Sequence, residues 1–205
     1  DSKIAILLII PILSFSQSKK VKALLHEIEN DWSIDDNGNI TYVYVSKAEG
    51  LSKDEIFNRV QDYLIYNYSS GKSVIQTEDK EGGRIIGKGL WKEVHIGNSL
   101  ATTYLDCWHI LRVDVKEGRA RIMLTLTQYE QKVVTPGYGN TLPSTSYATF
   151  KVEQTFPCIP KGRQKTMFGK AFYKSHKSAV STILSVDKAI KEGNTSKNLE
   201  TDDNW

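Results

Sequence analysis

Cys107 and His109 stand two residues apart and form the closest thiol–imidazole pairing in the sequence. A thiolate beside an imidazole would be a nucleophile with its base at hand. On a strand, that spacing puts both side chains on one face. The same parity carries Leu111, Val113 and Val115, an aliphatic series that reads as the core side of a sheet. Strand neighbours at that spacing also stand too far apart to bond directly, so a packed core cysteine and histidine is the expected reading. The alternative is a small envelope enzyme using Cys107 and His109. Cys158 is the only other cysteine, so Cys107–Cys158 is the one disulfide open to the chain in an oxidising compartment.

Other motifs carry less chemistry. Gly82-Gly-Arg-Ile-Ile-Gly-Lys88 matches the first seven positions of a phosphate-binding P-loop. That loop needs a helix start and a Ser or Thr after the lysine. Here Gly89 follows, and the flanking residues are strand formers, so a bent strand is expected. His26, His95 and His176 show no zinc-type spacing, and no G-x-S-x-G elbow occurs. No cofactor or metal is therefore expected. The run Lys161, Arg163, Lys165, Lys170, Lys174 and Lys177 holds six positive charges without an acid and reads as a solvated helix face.

The residues of opposite parity to His109 are of more interest. Trp108, Ile110, Met123 and Tyr129 fall on the far side of the central hairpin, where surface aromatics would make a binding platform unless a helix or loop covers them. The partner expected for such a patch is a protein, a glycan or a small apolar ligand. A net charge of only +3 argues against nucleic acid.

The elements that must position these residues can be read along the chain. Its 205 residues, 25% charged and 40% hydrophobic, suit one globular domain with extensions. Residues 4–13 are an apolar run behind Lys3, too short to span a membrane and suited to the core of a secretory leader. Ser14 and Ser16 supply a small-residue cleavage site, giving residues 1–16 as signal peptide and no transmembrane span in the mature chain. Residues 17–35 form an extension with a short amphipathic helix over 17–31, residues 36–192 the domain, and residues 193–205 a flexible tail.

Within the domain, Asn37-Gly38 suits a tight turn, and Ile40–Val45 is a β-branched and aromatic strand. Ser52-Lys-Asp-Glu55 is a capping box, with Leu51 and Ile56 as its hydrophobic staple. The helix that follows buries Ile56, Phe57, Val60, Tyr63, Leu64 and Tyr68 and closes at Gly71. Four strands are expected over 72–79, 83–96, 101–115 and 119–130. A two-residue turn at Glu117-Gly118 pairs Val115 with Ala120, Val113 with Ile122, Leu111 with Leu124 and Asp114 with Arg121, which places His109 opposite Leu126. His109→Leu is then expected to be tolerated. A loop over 131–146, a short strand over 147–156 and a helix over 163–191 complete the chain. These elements describe an α+β domain: an antiparallel sheet of five or six strands, a helix between the first two strands, and a long C-terminal helix.

Asn37–Tyr42, Gly50–Phe57 and above all Val74–Gly89 resemble an exported bacterial family, domain of unknown function 4468, which has the sheet-and-helix shape called TBP-like. The resemblance covers residues 36–130. It implies that fold but brings no activity and no functional residues, and fold alone does not transfer DNA binding. The function expected is an exported, periplasmic or cell-surface binding module without catalytic activity.

Overall fold

The computed structural model describes residues 10–68, 74–139, 142–161 and 164–193. The expected leader lies outside them over residues 1–9, as do Gly71 and residues 194–205. Helix α1 (Ile10–Glu27) is followed by strand β1 (Ile40–Lys47), helix α2 (Lys53–Tyr68), strands β2 (Val74–Asp79), β3 (Arg84–Asn98), β4 (Thr102–Lys116), β5 (Arg119–Thr135) and β6 (Ser144–Lys151), and helix α3 (Lys165–Glu192). All six strands form one antiparallel sheet in the order β1-β5-β4-β3-β2, with β6 also paired to β5, beyond β1. β5 and β6 each reach further into the expected 131–146 loop, β5 running on to Thr135 and β6 beginning at Ser144.

Both long helices lie on the same side of this sheet. The stripe from Ile56 to Tyr68 on α2 is buried as its spacing requires, and α3 buries Phe168, Ala171, Phe172, Ala179, Ile183, Val186 and Ile190. Opposite them the sheet contributes Ile85, Leu111, Val113, Ile122, Leu124 and Leu126, all fully buried. The β4–β5 hairpin has the expected register throughout its first half, including Asp114 against Arg121 and His109 against Leu126. A slip of one residue would turn the aliphatic set away from the helices.

The helix ends show where local signals stop deciding. The Ser52 hydroxyl accepts the Glu55 N–H at 3.2 Å, but the Glu55 carboxylate binds Arg59 at 2.6 Å instead of turning back to the cap. Glu117, on the β4–β5 turn, accepts the Lys53 N–H at 2.9 Å. Arg59 in turn donates to the carbonyls of Ile190 and Lys191, at 2.7 and 3.0 Å, satisfying the C-terminal end of α3 with a cation where the helix dipole favours one.

Residues 19–35 do not hang free of the domain. Val21 and Ile28 are buried, Trp32 meets Phe172 edge-on at 4.8 Å, and Glu27 binds Tyr173 and Lys177 on α3.

Candidate functional site

With α2 and α3 on one face, the other face of the sheet is open among the described residues, and alternation decides what it shows. Four cross-strand rows run across it. Val45, Arg121, Asp114, Arg84 and Asp79 make the first; Val43, Met123, Arg112, Ile86 and Thr77 the second. Thr41, Thr125, Ile110 and Lys88 make the third, and Gln128, Trp108 and Leu90 the fourth. An aliphatic and aromatic centre thus lies on a rigid sheet, with basic side chains along one margin.

Trp108, Ile110 and Met123 are on this face as expected, each half-buried by its neighbours. Tyr129 is not. The β4–β5 register shifts between Trp108 and His109, leaving Thr127 as an extra residue whose hydroxyl donates to the Trp108 carbonyl at 3.1 Å. That bulge reverses the alternation beyond it. Tyr129 is fully buried among the helix-side residues, with its ring centroid 5.7 Å from that of Phe168.

The electrostatics of the margin centre on Asp114. Its carboxylate accepts from Arg84 at 2.8 Å, from Arg112 at 3.0 Å through both oxygens, and from Arg121 at 2.7 Å. Partial burial works to raise its pKa, but the three guanidinium groups win and hold it far below the usual carboxylate range. With Asp79 in the same row, three cations face two anions, so the margin keeps a small positive excess, and the four N–H groups bound to Asp114 are a minority of those the three guanidinium groups carry. Lys88 lies over the Trp108 ring, 4.5 Å from its centroid, as a cation–π pair. Spacing alone marks Asp114 with Arg121. The share of Arg84 depends on β3 pairing with β4, and that of Val43 and Val45 on β1 docking beside β5; the chain order shows neither.

Cys107 and His109 lie on the opposite, helix-covered face. Burial pushes the Cys107 thiol up to about 12 and the His109 imidazole down to about 3, so at neutral pH one is a thiol and the other an uncharged ring. His109 stacks on Trp91 with centroids 3.8 Å apart, and its Nε2 is 2.7 Å from the Tyr68 hydroxyl. No thiolate–imidazole pair exists here. Cys107 and Cys158 are both free, the first buried and the second half-buried, so the disulfide that the sequence allows is not formed.

The P-loop-like glycines serve packing. A Cβ on Gly89 would stand 2.7 Å from the rings of His109 and Tyr68, and one on Gly87 would stand 3.0 Å from Leu64. Only glycine lets α2 approach β3 so closely. The basic run on α3 is also partly spent within the fold: Lys177 pairs with Glu27 at 2.7 Å, and Lys174 donates to the Glu93 carbonyl at 2.8 Å.

None of the curated proteins matches the sequence. A family model described as a domain of unknown function (DUF4468) with TBP-like fold matches residues 42–130. Among solved structures, a TBP-like protein from Parabacteroides distasonis is 18% identical, with a TM-score of 0.56, 76% of this chain covered and 95% of the other. A DUF4468 family protein from Bacteroides ovatus is 16% identical, with a TM-score of 0.55 and coverage of 78% and 91%. At such identity the likeness speaks for the fold. The chain thus matches the DUF4468 family model over residues 42–130 and has the TBP-like fold.

Proposed function

We propose that this chain is an exported, non-enzymatic binding module of the bacterial envelope that takes its ligand on the open sheet face around Trp108. The observation that carries this reading is the one-sided placement of the helices: Val43 and Val45 remain 60% and 52% exposed, beside the partly exposed Met123, Ile110 and Trp108. A contiguous apolar surface of this kind on a rigid sheet marks an interaction site more often than a bare exterior. The arginines on Asp114 and Lys88 over Trp108 favour a ligand with an aromatic or aliphatic body and an anionic group. The apolar run over residues 4–13, followed by Ser14 and Ser16, supports export.

The probe for this surface is 1-anilinonaphthalene-8-sulfonate, an anionic aromatic whose emission rises in apolar surroundings. The folded protein should bind it. Ile110→Asp and Met123→Asp should each abolish the signal while leaving the far-ultraviolet circular dichroism unchanged. Equal binding by both variants, or none by the parent, would overturn the reading. Export is tested separately by mass spectrometry of the expressed full chain, which should begin at Gln17 outside the cytoplasm.

A further inference from the structure

β1 is an edge strand. β5 occupies one side of it, and among the described residues the other side carries only a single bridge, Ile34 to Ile40, at its start. Residues 41–46, Thr-Tyr-Val-Tyr-Val-Ser, are uncharged and rich in β-formers, without the proline, bulge or inward charge by which edge strands are usually blunted. Large exposed apolar side chains also gather here: Ile34, Val43, Tyr44 and Val45, with Val180 and Leu184 on the neighbouring flank of α3. A cleft of about 430 Å³ runs between that flank and the strand, walled by Tyr42, Tyr44, Val180, Ile183 and Leu184.

We infer that β1 pairs antiparallel with β1 of a second copy of this chain about a two-fold axis at Tyr44, joining the two sheets into one. The register selects itself. Centred on Tyr44, the pairing sets Tyr42 against Ser46 of the second copy on the helix side, with the two Tyr44 rings meeting over the clefts. On the open side Val43 meets Val45 of the second copy, which extends the apolar face across the joint. Lys47 of each copy then falls opposite Thr41, whose hydroxyl binds Asp35 Oδ2 at 3.2 Å, so each end of the joint brings an ammonium to a carboxylate. Shifting the axis to Val45 would set Lys47 against Val43. Shifting it to Val43 would drive Ser46 onto Ile40, whose outer side Ile34 occupies. An isologous joint of this kind closes as a dimer and does not extend into a fibre. It also makes one continuous face of the two open surfaces, so the inference goes beyond the binding reading while touching the same sheet.

Sedimentation equilibrium of the full chain should give twice its 23.1 kDa mass. Val45→Lys should raise the dimer dissociation constant by on the order of tenfold or more, because it sets an unpaired charge against an apolar partner. Should that variant fail to fold by circular dichroism, Lys47→Asp, which opposes Asp35 of the second copy with a like charge, gives the same reading. In a Cys158→Ser background, Tyr44→Cys should cross-link to a covalent dimer on oxidation, since residue 44 faces itself. Val43→Cys should not, since it faces Val45. A monomer at millimolar concentration, a dimer indifferent to the edge variants, or cross-linking through residue 43 but not 44 would each overturn the inference.

Discussion

The hydroxyl of Tyr68, at the end of α2, and Nε2 of His109, in the middle of β4, are 2.7 Å apart in a buried hydrogen bond. His109 is 2% exposed and Tyr68 5%, so neither group has water to fall back on. The contact ties the helix to the sheet where Gly89 lets them approach.

This bond reverses the expectation that leucine would be tolerated at position 109. Leucine would strand the Tyr68 hydroxyl, and an unsatisfied buried hydroxyl costs about 1–3 kcal/mol. His109→Leu should therefore lower the urea midpoint. The double variant Tyr68→Phe/His109→Leu should be more stable than His109→Leu alone, because no polar group then remains to be satisfied. If the double variant is the less stable of the two, the bond is not what the histidine supplies.

The same burial predicts an acid weakness. Unfolded, His109 titrates near ~6.5; folded, its pKa is down at about 3. Between those values the unfolded chain binds a proton that the folded chain refuses, so stability falls as pH drops through that window and rises as pH rises. One such group gives a slope of about 1.4 kcal/mol per pH unit. Urea denaturation of the parent and of His109→Gln at pH 7, 6, 5 and 4 should show a slope smaller by roughly that amount in the variant. Above pH 7 the two should run parallel.

Gly89→Ala should destabilise the protein by about 1–3 kcal/mol, since the new methyl group would overlap the His109 and Tyr68 rings and neither can move within a packed core. At Gly118 the alanine is also unfavourable, but for a different reason: its φ is +67° and the space around it is open. Thermal melts distinguish the two if His109→Ala relieves Gly89→Ala and leaves Gly118→Ala unchanged.

Ser52→Ala should cost about 1 kcal/mol, the usual worth of an N-cap acceptor, because the Glu55 N–H loses its partner. Glu55→Ala should act instead through Arg59, loosening its hold on the α3 carbonyls. An unchanged midpoint in Ser52→Ala would show that Glu117 alone secures the helix start.

Local spacing was enough for α2, for the buried stripe of α3 and for the β4–β5 hairpin, because in each the partners lie within a few turns or across one tight turn, and a slip turns a whole aliphatic set outward. The same alternation put Cys107 and His109 in the core and Trp108, Ile110 and Met123 on the far face. It failed at Tyr129, where a single extra residue at Thr127 reverses the parity beyond it and no local signal marks the bulge. It could not show that Tyr68 meets His109, that Arg84 and Arg112 join Arg121 on Asp114, or that β1 lies at the sheet edge beside Val180 and Leu184. Those contacts join residues from distant parts of the chain. They follow from strand order, which is set by how the whole sheet buries one face under two helices, and no stretch of sequence carries that choice alone.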